Sequence, residues 1–168
     1  MTIGQQLPTE PLRAEHRALL SRLGELDRLA SELPALPPDE ARARLRRLIA
    51  FLRHHLLPHA MAEEKTLYPA IEAAMGAPGA TATMFADHSE ITRRIEALDA
   101  AARRPDLSSV PAMLYGLSAI VLLHFRKEEE VLLPVLDRAL SLEDAANLLQ
   151  QMAADAGETS EEQPAAPS

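Results

Sequence analysis

Residues 59–69 read HAMAEEKTLYP and residues 124–134 read HFRKEEEVLLP. Both fit the frame H-x3-E-x5-P, and in both a second Glu, Glu64 or Glu129, directly follows the first. Four residues make about one helical turn, so His59 projects with Glu63 and His124 with Glu128. Each copy therefore aims a ring nitrogen and a carboxylate oxygen at one place. The pairs interrupt apolar stripes: Leu48, Leu52, Leu56, His59, Glu63 and Leu67 in the first copy, Leu117, Ile120, Val121, His124, Glu128 and Val131 in the second. An ionised carboxylate left unpaired in a core costs several kcal/mol or surrenders its charge. Two of them at matching positions call for a shared partner, and a bound cation is the simplest.

Outward from these stretches the chain reads as helices. Thr9 is a candidate N-cap with Pro11 in the first turn, and Leu12, His16, Leu19, Leu23 and Leu26 recur at helical spacing until ELPALPP, giving helix one over about 10–32. Helix two opens near Pro38 and Asp39 and runs into the first stretch, with Pro58 expected to bend it just before His59. AIEAAMGAPG terminates it. Helix three covers about 81–103, with Met84, His88, Ile91, Ile95 and Leu98 as its stripe; helix four follows Ser108 and Ser109 and ends near 138. Ser141 with Asp144 caps a short fifth helix. From Ala153 onward there is little to bury, so a disordered acidic tail is expected over 153–168, behind a single domain over 1–152.

The repetition extends beyond the two stretches. Glu15-His16 in EHRALLSRLGEL aligns with Asp87-His88 in DHSEITRRIEAL at an offset of 72, and the H-x3-E copies are offset by 65. Helices one plus two and helices three plus four thus read as two versions of one hairpin, each with a lone His and then a His–Glu pair. In an up-down-up-down bundle the arms on either side of a turn should match. His88 to Arg104 is 16 residues and Ser109 to His124 is 15; for His16 and His59 the arms are 16 against about 21. Equal arms between His59 and His88 further require helix two to leave the bundle near Pro69.

Composition narrows the class. The 168 residues carry a formal charge of −8, and the Lys and Arg residues are scattered along the sequence, which argues against nucleic-acid and membrane-surface partners. There is no Cys, so disulfides, zinc knuckles and thiol chemistry are excluded. The N-terminal residues lack a signal-peptide pattern and no apolar window is long enough to span a bilayer, so the chain reads as cytoplasmic. Abundant Ala, Leu, Arg and Glu favour helices, and the expected fold is all-α: an up-down-up-down four-helix bundle with a short C-terminal helix and a disordered tail.

Six residues would then converge in the core: His16, His59, Glu63, His88, His124 and Glu128. Imidazoles and carboxylates without thiolate suit iron, manganese or zinc, and two carboxylates point to a two-metal set. His55, one turn before His59, is either a further ligand or a neighbour of one, and Tyr68 is a minor alternative ligand. Glu64, Glu129 and Glu130 read as a solvated face, of which at most one orients a ligand. Tyr68 and Tyr115 read as core residues, and Met75, Met84 and Met113 as packing.

The order H, HxxxE, H, HxxxE, with LLPHAMAEEKTLYP and ADHSEI, resembles the hemerythrin-like (HHE) family over about residues 9–138. The resemblance implies a four-helix bundle with a carboxylate-bridged, non-haem pair of irons: His16 and His59 on one, His88 and His124 on the other, Glu63 and Glu128 bridging. The oxygen-carrying branch has a second His four residues from the third-helix His, whereas here those positions are Met84 and Thr92. The expected function is therefore reaction with, or sensing of, a small oxidant (oxygen, peroxide or nitric oxide), with catalase- or peroxidase-like activity as the enzymatic version. The alternative is a metal-dependent regulatory module without turnover. A monomer or weak homodimer is expected.

Overall fold

The structure, a computed structural model, describes residues 7–162, with side chains to residue 157. Those residues form five helical rods and no strand. The first is α1 (Glu10–Glu32), followed by a 3₁₀ turn. The second runs as α2 (Pro38–Phe51), α3 (Leu57–Ala62) and α4 (Tyr68–Met75), joined by two π turns, Leu52–Leu56 and Glu63–Leu67. The third is α5 (Ala82–Ala102). The fourth is α6 (Val110–Lys127) and α7 (Leu133–Ala139), joined by a π turn over Glu128–Leu132; the fifth is α8 (Leu142–Glu162).

The π turns account for Pro58, which the sequence marked only as a bend, and for the prolines that close the two repeated stretches. Pro58, Pro69 and Pro134 each stand two residues beyond such a turn. A proline ring clashes with the carbonyl four residues back and has no N–H to give it. The ladder relaxes by one residue: the N–H groups of Leu57, Tyr68 and Leu133, each just before a proline, reach back five residues to Leu52, Glu63 and Glu128. In the H-x3-E-x5-P frame the Glu is thus the first residue of a widened turn. That moves every later side chain round the helix, so the core position is taken by Leu132, 7% exposed, while Val131, expected on the stripe, is 60% exposed.

Two apolar clusters fill the bundle. One gathers Leu26, Leu29, Leu45, Ile95, Leu114 and Phe125 from α1, α2, α5 and α6; the other gathers Leu12, Leu67, Tyr68, Ile71, Leu133, Leu136 and Met152. On each of the first four rods the site residues lie between the two clusters, so hydrocarbon closes the centre from both ends. Helix two does not leave the bundle at Pro69: it continues to Met75 with Ile71 fully buried, then turns at Gly76, whose φ of 62° is the left-handed conformation open to glycine.

Three further expectations are corrected. Thr9 makes no side-chain cap to α1; its N–H and hydroxyl donate instead to Asp137 Oδ1 at 2.9 and 2.8 Å, tying the start of α1 to α7. Tyr115 and Met75 are exposed rather than packed. The tail expected to be disordered from Ala153 continues as helix to Glu162; residues 163–168 lie outside the described residues. Met152 and Asp155 are buried there, and Asp155 accepts hydrogen bonds from Lys65, from the Thr66 hydroxyl at 2.5 Å and from Gln151 at 3.3 Å. Ser141 and Asp144 do form the reciprocal cap, with Asp144 N–H to Ser141 Oγ at 3.1 Å.

Candidate metal centre

All six side chains singled out above are buried and brought together: His16 from α1, His59 from α3, Glu63 at the head of one π turn, His88 from α5, His124 from α6, and Glu128 at the head of another. Glu63 Oε1 lies 2.9 Å from His59 Nε2 and 3.4 Å from His16 Nε2; its Oε2 lies 3.3 Å from His88 Nε2 and 3.9 Å from His124 Nε2. Glu128 sits opposite, 3.7 Å from His16 Nε2 and 3.5 Å from His124 Nε2. Two sets of ligand atoms are spaced to hold an ion, His16 with His59 and Glu63, and His88 with His124, Glu63 and Glu128; Glu63 belongs to both.

A second layer, absent from the sequence reading, sets the chemistry of the first. Every one of the four imidazoles meets a carboxylate through Nδ1: His16 with Glu129 at 2.8 Å, His59 with Glu15 at 3.1 Å, His88 with Glu64 at 2.9 Å and His124 with Asp87 at 3.3 Å. An ionised carboxylate only accepts, so Nδ1 carries the proton, and a neutral ring then presents a lone pair at Nε2. With every ring neutral, as metal ligands must be, four lone pairs and two carboxyl groups face one another. His88 Nε2 and His124 Nε2 stand 2.9 Å apart. His16 Nε2, His59 Nε2, both oxygens of Glu63 and Glu128 Oε2 have no hydrogen-bond partner. The Tyr68 hydroxyl is a donor among these groups: it donates a hydrogen bond to Glu128 Oε1 at 2.8 Å and lies 3.2 Å from His88 Nε2. Buried acceptors without donors are costly, and a cation satisfies all of them at once.

The protein's own charges divide the two carboxyl groups. Burial alone would push Glu63 up, but the histidines around it, His59 foremost and then His124 and His16, outweigh it and hold Glu63 well below the usual carboxylate range. Burial and the Glu63 charge together push Glu128 well above that range. For His59, burial disfavours the charged ring, yet Glu63 and Glu15 prevail and hold it at about 10. Burial, with Glu63 and Glu128 nearby, pushes the Tyr68 hydroxyl far up, so it stays protonated as a donor. Without a cation the cluster must draw in protons, while ligands to a metal must shed them.

The sequence held a signal for the second layer. Glu15 and Asp87 are the acids preceding the aligned lone His residues, and Glu64 and Glu129 follow the first Glu in each copy of the frame. Glu64 and Glu129 both orient a ring, where one at most was expected; Glu130 is exposed and pairs with Arg126. His55 is outside the centre, exposed with its ring against Phe51, because the π turn over Leu52–Leu56 carries it off the His59 face. Tyr68 lies inside it as a donor to Glu128.

Among known families, the hemerythrin HHE cation-binding domain matches residues 7–136. Neither the curated proteins nor the solved structures give a significant match. All six converging side chains fall within the matched span, which covers most of the sequence, and the chain belongs to the hemerythrin HHE cation-binding domain family.

Proposed function

We propose that the chain holds two iron ions, one at His16 and His59 and the other at His88 and His124, with Glu63 and Glu128 shared between them, and that it reacts with or senses a small oxidant such as oxygen, peroxide or nitric oxide. The observation that carries this reading is the acceptor-rich interior: ring nitrogens and carboxylate oxygens from four rods converge in a buried core, and those of His16, His59, Glu63 and Glu128 include atoms without a hydrogen-bond partner. The same donor set admits manganese or zinc. Iron, when bound, supplies the electron transfer that none of these side chains can perform.

The chain's own residues have separable tasks in this reading. Glu15, Glu64, Asp87 and Glu129 fix each ring in the tautomer whose Nε2 faces inward. Tyr68 holds Glu128 and keeps a proton beside the centre. Phe125 packs its ring against His16, His59 and His124 and excludes water from that side. The reading further takes residues 1–152 as the metal-holding unit, with four rods alternating up-down-up-down, acting in the cytoplasm as a monomer or weak homodimer without nucleic-acid or membrane partners. Among the described residues no helix is long and apolar enough to cross a membrane.

Metal analysis after anaerobic iron loading tests it: two irons per chain are expected, and fewer than one rejects it. The enzymatic version, a catalase- or peroxidase-like use of peroxide, is tested by following peroxide consumption, which should vanish in Glu63→Ala.

A regulatory reading is favoured by one observation. Asp155 of α8 grips Lys65 and Thr66, which share the π turn headed by Glu63, so the ligand's position and the docking of α8 are mechanically joined. Release of α8 on chelation, with no peroxide turnover, would select this reading.

A further inference from the structure

Towards the other end of the first hairpin lies a cavity of about 430 Å³ between α1 and α2, apart from the metal centre. Arg22, Arg28, Arg44 and Arg47 line it, with Glu25 as the one carboxylate, Ser21 and Gly24 on the α1 side, and Leu48 and Phe51 on the α2 side. In a chain of formal charge −8 this is a local reversal of sign. Sequence order concealed it, because helical spacing gathers arginines that are scattered along the chain.

The four guanidinium groups are not equally occupied. Arg28 pairs with Glu25, and Arg44 lies between Glu25 at 3.2 Å and Glu32 at 2.5 Å. Arg22 and Arg47 make no salt bridge among the described residues. Arg22 instead lies over the Phe51 ring, 4.9 Å from its centre. Arg28 and Arg44 thus balance Glu25 and Glu32, and Arg22 and Arg47 face the cavity without a carboxylate partner among the described residues.

Gly24 supplies an independent observation. A glycine inside a helix costs about 0.5–1 kcal/mol relative to alanine. Close packing does not require it here: a Cβ at Gly24 would meet nothing within 4 Å. The missing side chain leaves the cavity wall low, so that an occupant can approach the α1 backbone.

We propose that this cavity is an anion site for a small phosphate-class oxyanion, free or as the phosphate end of a small molecule, gripped by Arg22 and Arg47 and flanked by Arg28 and Arg44. Arginine favours such ligands because its planar fork matches two oxygens at once. The Phe51 ring gives a larger ligand an apolar surface beside the phosphate.

Titration calorimetry of the full-length protein with pyrophosphate and with adenosine diphosphate tests the site, iron content being measured before and after. Saturable binding is expected, weaker at higher salt. The double variant Arg22→Gln, Arg47→Gln should weaken it at least about tenfold, having lost two charge-assisted contacts. Gly24→Leu should weaken it as well, by filling the cavity while favouring the helix, so a folding defect cannot account for the loss. Equal affinity for the two probes assigns the free anion; tighter adenosine diphosphate binding that Phe51→Ala removes assigns a nucleotide. No saturable binding at millimolar probe, or binding that both sets of substitutions leave intact, overturns the proposal, the second result locating the anion elsewhere, the metal centre included.

Discussion

Glu63 is within 3.9 Å of a ring nitrogen from each of the four histidines, whereas Glu128 is that close to His16 and His124. Glu63→Ala should therefore lose most of its bound metal, and Glu128→Ala should keep a larger share, as read by elemental analysis after iron loading. The outer carboxylates act through the rings they hold. Glu129→Gln or Glu64→Gln should weaken metal binding about 10–100-fold with the fold intact, which a chelator competition assay would measure. Four of the six converging residues were legible in the sequence because H-x3-E on a helix has one geometry and occurs twice, and His16 and His88 because the acid–His pairs of helices one and three align. Their carboxylate partners were less so, since Glu129 meets a ring 113 positions away in the chain and Glu64 one 24 away, and no local spacing encodes such a contact.

At the scale of elements, the π turns decide how the frame works. Pro134→Ala removes the ring that forbids a regular turn before it, so the ladder can close to α spacing and Glu128 with Glu129 should rotate out of register. Helix content by circular dichroism should hold while metal affinity falls by about tenfold or more. The ends of helices one, three and four were readable within a residue or so from caps, prolines and apolar period. The π turns were not, because an α period had been carried through them; Val131 and His55 are misplaced for that one reason. The tie between α1 and α7 adds a pH dependence. Burial raises the Asp137 carboxyl, but Thr9 and Arg13 outweigh it and bring it below the ordinary 3.8. A carboxylate lowered in the folded state contributes stability that is present above its unfolded value and is lost as pH falls through the folded one. Asp137→Asn should thus destabilise the protein near neutrality, by about 1 kcal/mol once solvent screening of this partly exposed group is allowed for, and flatten the acid limb of its pH–stability curve below about pH 4.

For the whole molecule, metal and fold are linked. A cation that binds the folded chain alone, present at about a hundred times its dissociation constant, contributes about 2.7 kcal/mol. In a chain of this size that raises the melting temperature by roughly 5–10 °C, a rise that chelation should abolish in a calorimetric scan. The single-bundle organisation was legible from the duplicated hairpin. The course of α8 was not, because Asp155 reads as a solvated acid until Lys65 and Thr66, about ninety positions earlier in the chain, are seen to face it.

The outer carboxylates also bind the two hairpins to each other. Glu15 and Asp87 each serve a histidine of their own hairpin, whereas Glu64 serves the second hairpin and Glu129 the first. Half of the support is lent across the divide in each direction, so neither hairpin alone completes its own histidines. Separated from its partner, each hairpin would keep one of its two ring-to-carboxylate contacts and lose the other.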